Sequence, residues 1–372
     1  MLDHKKFLEK LDNCDERLFC NFAKDKDIAF ALWNTIKNDN DLYLKIQNKK
    51  YSLLLPHWKG ALGFCKKIAE PIEEYIILSV DGSQVYYDKH QGPECYLINI
   101  GAIFFNYKRI ESSVFLSSQP QLFFLTDQNR EHGSQDFINL HREELELKQA
   151  LELTEQFVIN HEQKNHLVLL DGSIIFFQID QQWQENKESF LHKYLKILHK
   201  FYEKNILIAG YLSFPRNKEL VNILKLISVQ FDQSILSQAL LFNQLTDMHI
   251  TAFFLEKGYR STIFKSTAPI SYAYPSELKP YFCYLNIGVE IVRLEFPAWI
   301  AEQEVLVDKI CKLAYDQAQK GLGYPVCLFE AHEQAVIKTI DKNFVYTMLQ
   351  KRMKMQVAFQ SMKSIKKQQV AV

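Results

Sequence analysis

The chain has 372 residues, enough for one large domain or two ordinary ones, and 47% of them are hydrophobic, enough for a substantial core. Lys plus Arg and Asp plus Glu number 44 each, so any nucleic-acid surface must be a local patch and not a property of the whole chain. The seven scattered cysteines, the lack of a signal-peptide core and the lack of any 18-residue apolar run argue against secreted and membrane-spanning classes, and they predict a cytoplasmic protein without a membrane partner.

Residues 1–70 are charged and amphipathic, with a break at Leu55-Pro56-His57-Trp58, and they contain no clear strand pattern. They predict an N-terminal helical accessory region. From Glu73 onward the sequence contains apolar, strand-like runs, and no linker or solenoid repeat interrupts it. We therefore predict one domain over residues 71–345, followed by a basic helix or tail over residues 346–372.

The domain is predicted to begin with a short buried strand, Tyr75–Val80, which ends at Asp81-Gly82-Ser83. Two strand-like runs follow, Cys95–Phe105 and Arg109–Leu116, and the polar residues between them favour a hairpin. Residues 136–159 then show helical spacing of apolar side chains. The order is strand, hairpin, helix.

The same opening occurs a second time, because the strand His166–Leu170 ends at Asp171-Gly172-Ser173. A helix near Glu188–Tyr202, a strand at Ile206–Gly210 and a helix from Asn217 to about Val229 follow. This alternation predicts a mixed sheet flanked by helices, in the α/β class.

The last third of the chain is predicted to contain two strands joined near Gly288 and three helices. The strands are Phe282–Ile287 and Glu290–Phe296, and the helices are Glu302–Lys320, Leu328–Ile340 and one from about Asn343.

From residue 74 to about 230 the strands and helices follow the order of a ribonuclease H-like fold, in which the two acid-bearing strands are parallel neighbours. Asp81 and Asp171 would then meet at one edge of the sheet. Paired carboxylates suit Mg²⁺ or Mn²⁺, and such ions can activate water for attack on a phosphodiester. The alternative for each Asp-Gly-Ser is a simple strand-ending turn.

A metal site of this kind needs a third ligand, and the predicted helix carries several acids in His141-Arg142-Glu143-Glu144-Leu145-Glu146-Leu147. Arg142 and Glu146 are four residues apart and share a face, whereas Glu144 points elsewhere. We expect Glu146 to be this ligand. The alternative is a solvated, charged helix surface.

Two later residues are further candidates. His332 lies about one turn into a helix after a proline-containing loop, where it could bind metal or move a proton. Arg293 alternates with Glu295 on a strand, which favours a structural ion pair or a phosphate contact by Arg293. A helical histidine is also commonly structural or exposed.

These segments, in this order, resemble the NurA nuclease family of archaea and bacteria over roughly residues 73–340. The resemblance rests on their collinearity, since each motif is short. The matching segments are Val80-Asp81-Gly82-Ser83, the Arg142–Leu147 helix, Leu169-Leu170-Asp171-Gly172-Ser173, Gly210-Tyr211-Leu212-Ser213, Arg293-Leu294-Glu295-Phe296-Pro297, and Gly323-Tyr324-Pro325 with Ala331-His332.

The resemblance implies a ribonuclease H-like, PIWI-related fold and a homodimer. It also implies a Mn²⁺- or Mg²⁺-dependent DNA nuclease with 5′ to 3′ exonuclease and single-strand endonuclease action. The family works with a HerA-like hexameric ATPase in DNA end processing for recombinational repair. By position, Asp81, Asp171, Glu146 and His332 are implied to be the catalytic and metal-binding residues.

Phosphate and DNA contacts are expected from the two motif serines and three basic residues. These residues are Ser83, Ser173, Arg216, Lys218 and Arg293. Many relatives have a lysine directly after Gly-x-Ser, whereas Ser213 is here followed by Phe214-Pro215-Arg216-Asn217-Lys218. Arg216 or Lys218 would therefore supply the positive charge, and arginine is not equivalent to lysine at a phosphate.

Three other functions are compatible with parts of the pattern. The first is a non-catalytic DNA-binding or assembly partner of the translocase with the same fold. The second keeps the fold but acts on RNA or a junction. The third is a sugar or acetate kinase-like phosphotransferase, against which the sequence shows no Gly-x-x-x-x-Gly-Lys-Ser/Thr phosphate loop.

Overall fold

A computed structural model describes residues 2–14, 22–47, 51–68, 72–86, 94–157, 165–175, 184–232 and 241–352. The chain forms two compact units. Unit 1 comprises residues 1–67, 213–269 and 282–293, and unit 2 comprises residues 68–212, 270–281 and 294–372. Residues 353–372 of the predicted basic tail lie outside the described residues.

The helices, in chain order, are α1 (His4–Asp12), α2 (Phe22–Ile36), α3 (Leu42–Gln47), α4 (Gln135–Phe157), α5 (Gln184–Glu203), α6 (Glu219–Ser228), α7 (Asp247–Thr251), α8 (Ala298–Ala301), α9 (Glu304–Lys320), α10 (Val326–Ala335) and α11 (Thr339–Arg352). The strands are β1 (His57–Trp58), β2 (Cys65–Lys67), β3 (Tyr75–Val85), β4 (Cys95–Tyr107), β5 (Ser113–Phe124), β6 (His166–Asp171), β7 (Ile208–Leu212), β8 (Tyr259–Ser261), β9 (Phe264–Lys265), β10 (Pro280–Asn286) and β11 (Ile291–Pro297). Short 3-10 turns lie at Arg130–Gly133, Pro269–Ala273 and Ser276–Leu278.

Unit 2 is built on a mixed sheet whose strands lie in the order β7-β6-β3-β4-β5. The pairs β3–β6 and β6–β7 are parallel, and β3–β4 and β4–β5 are antiparallel. Helices α4 and α10 pack against β3 and β4, so the first six residues of β3 are buried without alternation. The predicted α/β class with a mixed sheet flanked by helices is confirmed.

The first aspartate does not end its strand, contrary to the prediction. β3 continues to Val85 because β4 pairs with it along its whole length, from Tyr75 opposite Tyr107 to Val85 opposite Leu97. β6 does end at Asp171, and Gly172 follows with φ +114°, a backbone conformation that favours glycine. The predicted start of β5 at Arg109 is also wrong, since that strand begins at Ser113.

Unit 1 has its own hydrophobic core, which includes Trp33, Leu224, Phe264 and Phe282. Within unit 1, β1 pairs with β9, and β8 pairs with both β2 and β10. The strands β1 and β2 correct the expectation that residues 1–70 contain no strand. They are two and three residues long, too short to show the alternation by which a strand is recognised.

The predicted helix Leu328–Ile340 is instead divided between α10, which ends at Ala335, and α11, which begins at Thr339. Among the described residues, no helix combines the length and the apolar character that crossing a bilayer would require.

Candidate active site

The parallel pairing of β3 with β6 brings the two motif aspartates together. Val80 lies opposite Leu170, so the next residues, Asp81 and Asp171, are neighbours across the two strands. Burial is the main cause of a raised pKa at the Asp171 carboxyl, and the negative charge of Asp81 raises it further. Two carboxylates thus concentrate negative charge at one place on the sheet.

Helix α4 adds a third carboxylate beside Asp81. Gly82 makes this approach possible, because a Cβ at this position would lie 2.6 Å from Oε1 of Glu146 and 2.8 Å from Cγ of Arg142. Glu146 forms an ion pair with Arg142, as the four-residue spacing predicts. Glu144 instead lies 4.0 Å from Lys193, so the structure places Glu146, and not Glu144, beside the aspartates.

The carboxyl of Glu146 has a pKa raised to about 8. Burial is the main cause, Arg142 opposes it, and the negative charge of Asp81 raises it further. An additional positive charge next to Glu146 would therefore stabilise its ionised form.

His332 reaches the same carboxylates from helix α10. Its Nδ1 lies 2.7 Å from Oδ2 of Asp81, and 57% of its side chain is exposed. Gly101 lies opposite Asp81 on β4, and a Cβ there would lie 2.2 Å from the backbone nitrogen of Ala335 and 2.5 Å from the carbonyl oxygen of Ala331. The absence of a side chain at residue 101 therefore lets α10 lie directly on the strand.

The end of α10 is fixed by two polar side chains. Asn99 donates from Nδ2 to the carbonyl oxygens of Gln334 and Ala335, at 3.1 and 2.8 Å. Ser83, which the sequence predicts to contact phosphate, donates its hydroxyl to the Ala335 carbonyl. Its position therefore supports a role in holding the helix of His332.

Tyr324 is a site residue that the sequence reasoning did not identify. Its hydroxyl donates to Oδ2 of Asp171 at 2.8 Å, and this hydrogen bond lowers the pKa of that carboxyl against the effect of burial. The signal in the sequence was the Gly323-Tyr324-Pro325 segment, in which the tyrosine had no assigned role.

Glu295 supports the site by holding the turn after Asp171. This fully buried carboxylate accepts hydrogen bonds at Oε2 from the Ser173 hydroxyl, at 2.6 Å, and from the Ile174 backbone, at 3.1 Å. Ser173 is thus engaged in fixing the turn after Asp171, although the sequence predicts that it contacts phosphate. Together these bonds hold the backbone that follows the second aspartate.

The three predicted basic contacts belong to unit 1. Arg293 is fully buried, with Nη1 3.0 Å from Oε1 of Glu219 and its Cζ 3.5 Å from the ring centre of Phe282. This corrects the expectation of a phosphate contact, because a group without exposure cannot reach one. Arg216 is exposed, and Lys218 donates to the carbonyl oxygen of Asn243 at 2.6 Å.

Across the part of the chain that the structure describes, no three His, Cys, Asp or Glu side chains converge tightly enough to form a finished metal site. The donor set nevertheless fits a hard divalent cation. Asp81 raises the pKa of both Asp171 and Glu146, so it repels both of the other carboxylates. A cation would relieve that repulsion, and carboxylate oxygens with an imidazole are ligands that Mn²⁺ accepts.

A family model described as the NurA domain matches residues 75–337, which is more than half of the chain. The chain belongs to the NurA family. All five residues of the site lie inside the matched region: Asp81, Glu146, Asp171, Tyr324 and His332. The expected family membership is therefore confirmed.

Solved NurA structures are similar to this family member at low sequence identity. "Crystal structure of NurA" has 13% identity and a TM-score of 0.44, and the match covers 88% of this chain and 97% of that one. "Crystal structure of NurA bound to dAMP and manganese" has 12% identity and a TM-score of 0.42, with coverage of 92% and 96%. "Crystal structure of NurA with manganese" has 10% identity and a TM-score of 0.38, with coverage of 88% and 96%. No curated protein matches the chain.

Proposed function

We propose that this NurA family member is a divalent-metal-dependent nuclease that hydrolyses phosphodiester bonds of DNA. The observation that carries the proposal is that Asp81 and Asp171 lie side by side on neighbouring strands, with Glu146 against Gly82 and His332 bonded to Asp81. Such a group of carboxylates suits Mn²⁺ or Mg²⁺, and membership of the NurA family supports the assignment to DNA.

The sheet of unit 2 supports a ribonuclease H-like, PIWI-related fold. Counted from β3, its five strands lie in the spatial order fifth, fourth, first, second, third. The second strand runs antiparallel to the other four, which are parallel to one another. The two aspartates lie on the first and fourth strands. This is the arrangement that the sequence reasoning expects of that fold.

We assign the carboxylates of Asp81, Asp171 and Glu146 to metal binding. The bound ion would activate water and stabilise the charge that develops on the phosphate oxygens. His332 is the exposed member of the site, so it is placed to bind the ion or to give a proton to the leaving oxygen. Tyr324 orients Asp171, and Arg142 limits the repulsion at Glu146.

Cleavage of end-labelled single-stranded and double-stranded DNA tests the proposal. We expect cleavage with Mn²⁺ or Mg²⁺ and none with a chelator. Asp81→Asn and Asp171→Asn should each reduce the rate to the metal-free level, whereas Asp127→Asn, at a carboxylate that is 97% exposed, should retain it. Binding of DNA without any cleavage would instead favour a non-catalytic DNA-binding or assembly partner.

A matched RNA strand in the same assay tests the substrate class, since cleavage of RNA in preference to DNA would overturn the assignment to DNA.

From the family resemblance we further propose 5′ to 3′ exonuclease and single-strand endonuclease action. We also propose a homodimer, a cytoplasmic location and a partnership with a HerA-like hexameric ATPase in DNA end processing and recombinational repair. Cleavage of strands labelled at either end tests the polarity. Light scattering of the purified protein, alone and with the ATPase, tests the two assemblies.

A further inference from the structure

Unit 2 contains a cavity of about 440 Å³ between α4, the start of α5 and the adjoining ends of β4 and β5. Its volume lies within the range of small-ligand sites, roughly 300–1,000 Å³. Aromatic rings dominate one wall, contributed by Tyr96, Phe123, Phe137 and His141. The proposed nuclease site does not use these side chains.

These rings form flat walls. Tyr96 and Phe123 stack at 5.0 Å with 19° between their planes, and His132 and Phe137 stack at 4.0 Å with 1° between theirs. His141 lies 4.7 Å from Phe123 and 3.0 Å from the Tyr96 hydroxyl. Burial lowers the pKa of His141 to about 4, so this imidazole is uncharged at neutral pH. The wall suits a planar, uncharged ring.

The mouth of the cavity is polar, and among the described residues that line it Lys193 and Glu144 form one pair of opposite charges. Lys193 is 59% exposed and lies 4.0 Å from Glu144, and the neighbouring Ser189 is also exposed. The pairing of opposite charges is unsuited to a cluster of phosphates. It is compatible with one phosphate at Lys193, at the edge of a ring that stacks inside.

The cavity lies within a few nucleotides of the proposed catalytic site. Tyr96 points to the face of the sheet opposite Asp81, because it is five residues from Gly101, which lies opposite Asp81 on β4. The cavity shares that face with Glu146, since both adjoin α4. His141 and Glu146 are five residues apart on this helix, about 7–8 Å along its axis at about 1.5 Å per residue. Stacked nucleotides are about 3.4 Å apart, so a strand bound near Glu146 could extend to the cavity.

We propose that this cavity is a stacking subsite for one base of a single-stranded nucleic acid. The proposal rests on the proposed function in one respect, because it takes the bound strand to be the substrate. Base stacking on aromatic rings is tolerant of sequence, so the subsite would hold the strand without selecting a base. Lys193 would contact the backbone next to that base.

Filling the cavity from its exposed edge tests the proposal. The variant is Ser189→Trp, and the matched control is His192→Trp, which places the same ring at an exposed position of α5 outside the cavity lining. Fluorescence anisotropy with labelled oligo-dT, in a chelator so that no cleavage occurs, gives the Kd. Stacking on one aromatic platform changes affinity by about 5-fold to about 150-fold. We expect a rise of at least about 5-fold for Ser189→Trp and no change for the control.

A second pair of variants separates stacking from charge. Phe137→Leu keeps an apolar side chain but removes a planar face, so it should weaken binding without changing the salt dependence. Lys193→Gln should lower the slope of log Kd against log salt by about 0.7, the value for one phosphate contact on a single strand. Equal affinity of Ser189→Trp and its control, with Phe137→Leu unchanged, would overturn the proposal.

Free dTMP distinguishes a strand subsite from a mononucleotide site. If dTMP binds more weakly to Ser189→Trp than to the control while oligo-dT binds both equally, the strand proposal is overturned. Because affinity is measured without metal, the result is independent of cleavage. If the protein cleaves DNA but its strand binding does not depend on the cavity, only this proposal is overturned. If it binds the strand but does not cleave it, only the proposed function is overturned.

Discussion

At the scale of single residues, the site is defined by negative charge that the protein itself neutralises only in part. Asp81 raises the pKa of Asp171 and of Glu146, and Arg142 offsets only part of this at Glu146. Such a cluster stabilises little by itself, because burying like charges costs free energy. A bound cation would offset that cost. Because the repulsion raises the pKa values of the acids, their ionisation is sensitive to pH.

Tyr324→Phe removes the hydroxyl that donates to Asp171. This hydrogen bond lowers the pKa of the carboxyl, so its loss raises that pKa and keeps Asp171 protonated to higher pH. We expect the acid limb of the profile of kcat/KM against pH, at subsaturating Mn²⁺, to move to higher pH. Tyr272→Phe, at a ring that is 82% exposed, is the control. A uniform loss of activity at every pH would contradict this role.

Glu146→Gln tests whether Glu146 costs stability. The folded-state pKa of about 8 exceeds the ordinary 4.5, so the folded protein holds a proton that the unfolded chain has lost. Stability from this group is complete below about pH 4.5 and is lost as the pH rises towards about 8. The Tm of the variant minus that of the wild type, in metal-free buffer, should therefore increase over this window, while metal-dependent cleavage is lost.

The control for that measurement is Glu152→Gln, at a glutamate of the same helix with a side chain that is 53% exposed. Its Tm should follow the wild type at every pH. If the Tm of Glu146→Gln falls below that of the wild type most strongly at high pH, the ion pair with Arg142 outweighs the cost of burying the Glu146 carboxylate. The conclusion that Glu146 costs stability would then be wrong.

At the scale of elements, two glycines set how closely the helices approach the strands. Gly101 faces the backbone of α10, whereas Gly82 faces the flexible side chains of Glu146 and Arg142. Gly101→Ala should therefore displace α10 and lower stability by about 1–3 kcal/mol, as overpacking does. Gly82→Ala should lower the Tm less but reduce cleavage, because Oε1 of Glu146 must move away from residue 82 of β3.

Thermal unfolding and the cleavage rate of these two variants, measured together, give the comparison. Each variant adds one methyl group, so each is the control for the other. Equal effects on Tm with no effect of Gly82→Ala on cleavage would contradict a role in cleavage for the position of Glu146 against Gly82.

The order of elements was readable from the sequence, but their ends depended on distant partners. The apolar runs before Asp81 and Asp171 predicted two buried strands, and their parallel pairing is confirmed. The continuation of β3 to Val85 was not predictable, because it depends on pairing with β4 and not on apolar character. Tyr324 was missed for a similar reason, since its partner Asp171 is 153 residues away in the chain.

At the scale of the whole molecule, the division into units was hidden from the sequence. Unit 1 combines three separate segments of the chain, and no local sequence pattern indicates that these segments pack together. The strands β1 and β2 have their partners, β9 and β8, about 200 residues later. The prediction of an accessory region over residues 1–70 used local composition and local pattern, which carry no information about these partners.

The sequence assigned Arg216 and Arg293 to phosphate contacts, again without information about distant partners. Arg293→Met removes the buried partner of Glu219 in unit 1, and leaving a buried charge unpaired costs about 3–5 kcal/mol. We expect a large fall in Tm, partly recovered in the double variant with Glu219→Gln, and an unchanged salt dependence of oligo-dT binding below the Tm.

Arg216→Met should leave the Tm unchanged, because Arg216 is exposed. If Arg216 contacts phosphate, its variant loses about 0.7 from the salt slope, and a loss of slope in Arg293→Met at full stability would restore the role that the sequence first suggested.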